Sequence, residues 1–169
     1  MARPPYEEGQ VSDRDPEASF AHKNGETYFS YEAHDAVDAV SDLIRKAEMT
    51  SADLHDSRRG ETMIQGDEAA YHAEEAYGSA ALREALREKG IDDKIAYKAK
   101  RNTPLVPWQK WFNTTVSSVR SGVERANATV KPRDAMGRVR YLGTARNNRH
   151  LQFVACATNM KRALVLLTA

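Results

Sequence analysis

The stretch of sequence that decides the fold is AAYHAEEAYGSAALREALREKGIDDKIAYKAK, residues 69–100. Its centre predicts a helix, because Ser79 is a good N-terminal cap, strong helix formers follow it, and Gly90 ends the run. A short strand is expected before this helix, at residues 69–73, and another after it, at residues 94–100. Strands that alternate with helices indicate a mixed α/β fold.

The segment upstream predicts two further strands joined as a hairpin. Residues 27–34 are rich in residues that suit a pleated surface, residues 42–50 form the second candidate strand, and the connection between them is short. Residues 1–20 are polar, contain three prolines and lack periodicity. We therefore expect a disordered or loosely held arm there and a folded domain over residues 21–169.

Three more helices are expected. The first spans residues 51 to about 65, and the last spans about 146 to 167. Between them a long helix begins at Pro107, which suits a first helical turn, and ends at Pro132. This long helix carries an apolar stripe of helical spacing, made of Trp108, Phe112, Val116, Val119, Val123, Ala126 and Val130.

The formal net charge of +1 conceals a strong asymmetry along the 169 residues. Residues 1–93 contain ten Lys and Arg against twenty-two Asp and Glu, whereas residues 94–169 contain fifteen against two. The first part is therefore acidic and the second basic. Such a division indicates either a polyanion-binding half or two halves that neutralise each other, within one chain or between copies.

The composition also excludes several classes of protein. Cys156 is the only cysteine, so a disulfide-built secreted domain is excluded. The N-terminal residues contain no apolar segment of the signal-peptide type, and no window approaches the roughly 18 apolar residues that a membrane span requires. We expect a cytoplasmic protein, associated with the nucleoid if it binds DNA.

Two acidic positions are candidates for chemistry. Glu124 and Asp134 are the only acids of the basic half, and Glu124 shares one helix face with Ser117, Arg120 and Lys131. One interpretation is an Arg120–Glu124 ion pair one turn apart. The other is a carboxylate that cations keep ionised and that ligates a divalent metal at a phosphodiester.

The second position is Glu74, with Glu75, at the end of the strand predicted at residues 69–73. A carboxylate there faces the crevice in which α/β sheets bind ligands, although two adjacent glutamates are also typical of a solvated turn. A separate candidate is the pair Trp108 and Trp111 with Lys110, which would stack on bases of an unpaired strand. The place of Trp108 on the apolar stripe favours a core position for it.

Several segments, in order, resemble the DDE transposases of bacterial insertion sequences, in the group that includes insertion sequence five. The upstream segments are Arg14–Ser19 and Gly25–His34, and the second block is Ala73–Tyr77 with the helix after it. The spacing of Ser117, Arg120, Glu124 and Lys131 resembles the C-terminal signature of the group, and the tail Val139–Asn148 is similar as well. The resemblance extends from about Asp13 to Leu167.

The resemblance implies an RNase H-like fold of the retroviral-integrase type, with a mixed sheet and flanking helices. It implies that Glu74 and Glu124 are catalytic and hold Mg²⁺ or Mn²⁺ for phosphoryl transfer at the DNA ends of an insertion sequence. Basic side chains would contact DNA phosphates without reading sequence. The candidates are Lys110, Arg120, Arg125, Lys131, Arg133, Arg138, Arg140, Arg146 and Arg149.

Departures from the pattern of the group point to incomplete catalysis. Glu74 stands where the group has Asp, Glu32 where it has Lys, and Ser117 where it has an aromatic residue. No apolar strand carries a first catalytic Asp, since Asp13 and Asp15 lie in the polar arm. We expect a truncated domain that lacks its first central strand and is inactive alone.

Three explanations remain open for such a chain. It is the downstream product of a split transposase, completed by frameshifting or in trans by an upstream fragment; or a decaying fragment; or a fragment retained to bind a protein partner or act as an inhibitor.

Overall fold

The computed structural model describes residues 13–23, 25–52, 59–133 and 139–168, except for the side chains of residues 23, 122, 123 and 125–133. The chain forms two compact units, residues 1–54 with 125–169 and residues 55–124. None of the helices within the described ranges is long and apolar enough to cross a membrane. The predicted mixed α/β class is confirmed, because strands and helices occur in both units.

The first unit contains a three-stranded antiparallel sheet in the order β1-β2-β3. Strand β1 spans Ser19–Lys23, β2 spans Glu26–Val37 and β3 spans Ile44–Ser51. The first half of β2 pairs with β1 and the second half with β3, with an irregularity at Ala36/Val37. The predicted hairpin is therefore confirmed. In its turn, the Asp38 carboxylate accepts a 2.7 Å hydrogen bond from the Ser41 N–H.

The predicted arm of residues 1–20 extends too far. Residues 1–12 lie outside the described part of the chain, but Ala18 and Ser19 are buried and β1 begins at Ser19. The polar side chain of Asp15 is also buried, and it accepts a hydrogen bond from the Tyr31 hydroxyl. Polar composition suggested a loose segment, whereas specific hydrogen bonds order these residues.

Helix α4 spans Thr144–Thr168, which confirms the last predicted helix. It covers β3. Its apolar contact face joins Leu151, Val154 and Ala155 to Ile44, Ala47 and Met49 of the strand.

Amide side chains of α4 also bind the backbone of β3. Asn159 accepts from the Ile44 N–H and donates to the Ile44 carbonyl, both at 2.8 Å. Asn148 accepts from the Met49 N–H at 3.2 Å, and Gln152 donates to the Ala47 carbonyl. The edge of β3 is thus satisfied by a helix instead of by another strand.

Three segments that are distant in sequence meet at the N-terminus of α4. The Tyr31 hydroxyl donates to Asp15, at 2.7 Å from Oδ2, and accepts from the Gly143 N–H at 2.9 Å. The Glu17 carboxylate accepts from the Thr144 N–H at 3.0 Å. Hydrogen bonds from the Thr144 side chain and, to a smaller extent, from its backbone N–H lower the pKa of Glu17. Two acids at this end suit the partial positive charge of a helix N-terminus.

The second unit is built on a parallel strand pair. Strand β4 spans Ala70–Ala73 and pairs with β5, Asp92–Ile95. Between them lie a 3₁₀ turn, Glu75–Tyr77, and helix α2, Ala80–Glu88. The core of this unit consists of Ala73, Leu82, Leu86, Ile91 and Ile95.

The ends of α2 are as predicted. Ser79 accepts from the Leu82 N–H at 3.1 Å, which is the expected N-terminal cap. Gly90 has a φ of 68°, a conformation that suits glycine after a helix end.

Two boundaries differ from the sequence prediction. Within the range of the helix expected at residues 51–65, Ser51 ends β3 and the described residues contain the short helix α1, Gly60–Met63. Residues 53–58 lie outside the described part of the chain. The strand expected at 94–100 begins two residues earlier and ends at Ile95. It is limited by its four-residue partner β4, and beyond it the side chain of Asn113 binds the Tyr97 backbone.

The long helix α3 spans Pro107–Arg133, so its predicted start is correct and its end lies one residue past Pro132. Its apolar stripe is only partly a core. Val116 is buried, but the side chain of Trp108 is 56% exposed. The core position expected for Trp108 is therefore wrong: the indole lies edge-on to Tyr97 and is largely exposed.

We predict that Asn159→Ala lowers the free energy of unfolding by about 2 kcal/mol, because it leaves two groups of the buried residue Ile44 without hydrogen bonds. Urea denaturation followed by far-ultraviolet circular dichroism measures the loss. Asn102→Ala, in an exposed turn, is the control and is expected to change stability by less than about 0.5 kcal/mol. Equal effects of the two variants would contradict this role of Asn159.

We also predict that the first unit is destabilised at alkaline pH. Burial, reinforced by the hydrogen bond to Asp15, raises the pKa of Tyr31 from 10 to about 12. Because the folded-state pKa is raised, the stabilisation is complete below pH 10 and is lost as the pH rises towards 12. Urea midpoints measured from pH 9 to 12 are expected to fall more steeply for the natural chain than for Tyr31→Phe.

The control for this experiment is Tyr141→Phe, which removes an exposed hydroxyl. It is expected to retain the alkaline slope of the natural chain. An unchanged slope in Tyr31→Phe would show that Tyr31 does not titrate in this way.

Candidate functional site

The candidate site lies where β4 ends. Glu74 directly follows the last residue of β4 and precedes the 3₁₀ turn, so its side chain leaves the carboxyl end of a parallel strand. Its carboxylate accepts a hydrogen bond from the guanidinium of Arg120 on α3. The side chain of Glu74 is 55% exposed and that of Arg120 is 17% exposed. The ion pair thus joins the turn after β4 to the middle of α3.

Glu124 lies one helical turn beyond Arg120 and is exposed. Residues four apart on a helix are neighbours, with Cβ atoms about 5–6 Å apart. The guanidinium of Arg120 binds Glu74, whereas the spacing had suggested an ion pair between Arg120 and Glu124. Arg120 therefore binds Glu74 and is a helix neighbour of Glu124.

A second ion pair supports the same edge of the parallel strands. Arg83 of α2 donates to Asp93 of β5, to the Ile95 carbonyl at 3.4 Å, and lies 5.6 Å from the ring centre of Tyr97. It holds the end of β5 against α2. The sequence did not single out Arg83 or Asp93, since a charged pair ten residues apart is not distinguished by periodicity.

The strand interior beside the site is uncharged at neutral pH. Burial, with a contribution from the positive charge of Lys94, lowers the pKa of His72 below 6.5. Burial also raises the pKa of Tyr71 to about 12, and its hydroxyl donates to the Gly60 carbonyl at 3.3 Å. Both side chains are neutral at pH 7, so the charge of the site comes from its carboxylates and Arg120.

The basic residues expected to contact DNA are distributed over both units. Lys110 is exposed and Arg120 is half-buried in the second unit. Arg140, Arg146 and Arg149 are exposed in the first unit, the last two in the first turns of α4. The side chains of the remaining candidates lie outside the described residues. They are Arg125, Lys131, Arg133 and Arg138.

The described residues do not form a complete metal centre. Carboxylate oxygens of Glu74 and Glu124 are suitable donors for Mg²⁺ or Mn²⁺. However, Arg120 already neutralises Glu74, and no group of three or more His, Cys, Asp or Glu is placed to hold an ion anywhere in the described ranges. Two carboxylates, one of them paired with a guanidinium, are a poor fit for a catalytic divalent ion.

The segments quoted for the resemblance are in contact within each unit. In the second unit, the block after β4 and the signature on α3 meet through Glu74 and Arg120. In the first unit, the two upstream segments and the tail meet through Asp15, Tyr31 and Gly143. Their common order in the sequence indicated that they belong together, but nothing in the sequence predicted these contacts.

Comparison with known proteins agrees with this arrangement. A family model described as Transposase DDE domain matches residues 6–160. The chain is similar to the transposase for insertion sequence element IS1106 of Neisseria meningitidis serogroup B, with 29% identity over 96% of the chain. It covers 59% of the length of that relative. No solved structure matches the chain. On the family match, which extends over most of its length, the chain belongs to the family of transposase DDE domains.

Proposed function

We propose that this chain is the DNA-binding part of a DDE transposase and that it does not carry out strand transfer alone. The observation that carries the proposal is the ion pair between Glu74 and Arg120. It joins two segments of the family pattern, yet it binds a guanidinium to the carboxylate that would otherwise hold a metal ion. Transposases of this family generally use divalent metal ions, so an acid neutralised in this way supports binding without catalysis.

Under this proposal the fold is RNase H-like and lacks its first central strand. The parallel pair β4–β5, with a carboxylate directly after β4, supports that assignment. The described residues provide an incomplete set of acids for a metal site. We propose that another part of the transposase supplies the remaining ligands.

The positions of the exposed arginines support DNA binding. Arg146 and Arg149 lie in the first turns of α4, near the positive end of the helix dipole. A cation in the first turn, such as Arg146, destabilises a helix by about 0.3–1 kcal/mol, so its placement is not explained by helix stability. A phosphate backbone beside them accounts for it, because each neutralised phosphate releases a counterion. Arg140 is exposed in the segment just before α4.

We predict that the chain binds duplex DNA in a salt-dependent way. In the double variant Arg146→Gln/Arg149→Gln, the slope of log K against log salt is expected to decrease in magnitude by about 1.8, because two phosphate contacts are lost. Fluorescence anisotropy with a labelled 30-base-pair terminal-repeat duplex measures it. Arg87→Gln is the matched control, since Arg87 is an exposed cation paired with Glu84.

The same preparation tests the catalytic part of the proposal. Incubation with terminal-repeat DNA and Mn²⁺ is expected to give no cleavage or strand-transfer product. Activity that disappears in Glu124→Ala would disprove the proposed inactivity. Absence of any DNA binding at 50 mM salt would disprove the proposed binding function.

A second candidate function, protein binding, is favoured by the outer face of α4. This face carries an apolar stripe with alternating spacings of four and three residues, the pattern by which two helices pack. The stripe consists of Phe153, Ala157, Met160, Leu164 and Leu167, all exposed. Phe153 and Leu167, at its two ends, are 78% and 84% exposed, so a partner is expected to cover it.

We propose that the partner is a second copy of the chain, with the two α4 helices antiparallel. A pair centred on Met160 places Phe153 of one copy opposite Leu167 of the other. Arg146 and Arg149 then fall beyond the overlap, so their charges do not oppose each other. The small residue Ala157 allows the helices to approach closely.

We predict that the chain self-associates through α4. Met160→Glu/Leu164→Glu is expected to shift the equilibrium to monomer, because it places charges in an apolar interface. Sedimentation equilibrium at 0.1 M and 1 M salt measures the mass, and dimer should persist at 1 M. Ala145→Glu, on an exposed residue outside the stripe, is the control. A monomer at all concentrations contradicts the dimer, and an oligomer that dissociates at 1 M salt points instead to pairing of the acidic and basic halves.

A further inference from the structure

We propose that Trp108 and Trp111, at the start of α3, form a stacking site for bases of an unpaired DNA strand. This inference rests on the proposed DNA-binding function and names the form of DNA that this surface takes. It also concerns a pair of residues that neither the family match nor the ion pair at Glu74 explains.

The two indoles are exposed although they are large and apolar. Trp111 is 70% exposed and Trp108 is 56% exposed, and the neighbouring Val106 is 43% exposed. The residues are three apart on a helix, so their side chains lie on adjacent positions of one face. Adjacent exposed aromatic side chains mark binding sites more often than single, scattered exposed apolar residues do.

The indoles are presented by a fixed framework. The Trp108 ring lies edge-on to Tyr97, with ring centres 5.2 Å apart, and Phe112 contacts the same tyrosine at 5.4 Å. The backbone of Tyr97 is fixed in turn, because Asn113 accepts from its N–H at 2.8 Å and donates to its carbonyl at 2.9 Å. A preorganised aromatic surface loses little conformational entropy when a base stacks on it.

The surroundings of the indoles are basic. Residues 94–123 contain six Lys and Arg and no Asp or Glu. Two of these cations, Lys94 and Arg120, form ion pairs with Asp92 and Glu74. The other four are exposed, on α3 itself or on the loop that leads from Tyr97 to it: Lys98, Lys100, Arg101 and Lys110. A turn closed by hydrogen bonds between Lys100 and Thr103 positions the loop residues.

This combination favours an unpaired strand over other partners. Bases inside a duplex are stacked on one another, so their faces do not reach an exposed indole, whereas unpaired bases stack on aromatic side chains while lysines contact the phosphates. A protein partner that suited four exposed cations would need to be acidic.

The experiment uses the intrinsic fluorescence of the full chain. Trp108 and Trp111 are its only tryptophans, so every change in tryptophan emission reports this surface. We expect a 15-nucleotide thymidine oligomer to quench the tryptophan emission when it is titrated into the protein. A 15-base-pair duplex is expected to bind without comparable quenching. Equal quenching by both forms would overturn the preference for unpaired DNA.

Variants then identify the stacking residue. Trp111→Ala is expected to weaken oligomer binding roughly 5- to 100-fold and to leave duplex binding unchanged, while Trp111→Phe restores most of the affinity because a phenyl ring still stacks. Anisotropy of a labelled oligomer measures both. Tyr28→Ala, an exposed aromatic residue of the acidic half, is the matched control and is expected to have no effect.

The outcomes separate this inference from the function on which it rests. Duplex binding that persists while Trp111→Ala leaves oligomer affinity unchanged overturns the stacking site alone. Failure of the natural chain to bind either form of DNA overturns the DNA-binding function as well. A loss of affinity in Trp111→Ala that Trp111→Phe does not recover assigns the effect to packing and also overturns the stacking site.

Discussion

A single type of contact, an amide side chain bound to both backbone groups of an extended residue, supports both units of this molecule. In the first unit Asn159 binds the N–H and the carbonyl of Ile44, and in the second Asn113 binds those of Tyr97. Each asparagine takes the place of a neighbouring strand, because its amide offers one donor and one acceptor with the spacing of a peptide group. The edge strands of small sheets have backbone N–H and carbonyl groups without hydrogen-bond partners. These contacts provide partners for such groups within each unit.

The same contacts determine what the surface presents. Because Asn159, with Gln152 and Asn148, directs one face of α4 to β3, the apolar stripe of Phe153 and Leu167 faces outwards. Because Asn113 fixes Tyr97, the indole of Trp108 rests on a tyrosine ring instead of entering the core. The surfaces with proposed functions are thus consequences of how two helices are attached to strand edges.

The acid after β4 is bound by Arg120. A carboxylate paired with a guanidinium is stabilised as an anion, yet it offers fewer lone pairs to a metal ion. The exposed cations on α4 and around Trp111 remain available to a polyanion.

Local signals in the sequence predicted much of the secondary structure. The cap at Ser79, the end at Gly90 and the start at Pro107 are correct, because capping and φ restrictions act within a few residues. The limits of β5 and α1 were mispredicted, since a strand is only as long as its partner and β3 extends through Ser51. Glu74 and Arg120 were identified as candidates, but their contact was not predicted.

The sequence by itself determined the mixed α/β class, the division into acidic and basic parts, and the membership of a transposase family. These properties follow from composition, periodicity and ordered motifs, which need no knowledge of distance. Only the tertiary structure decided that Arg120 binds Glu74, that Asp15 and Tyr31 fix the start of α4, and that Trp108 is exposed. Such contacts join residues up to 128 positions apart, as between Asp15 and Gly143. These contacts depend on how strands and helices pack, which the preferences of short segments for helix, strand or turn do not determine.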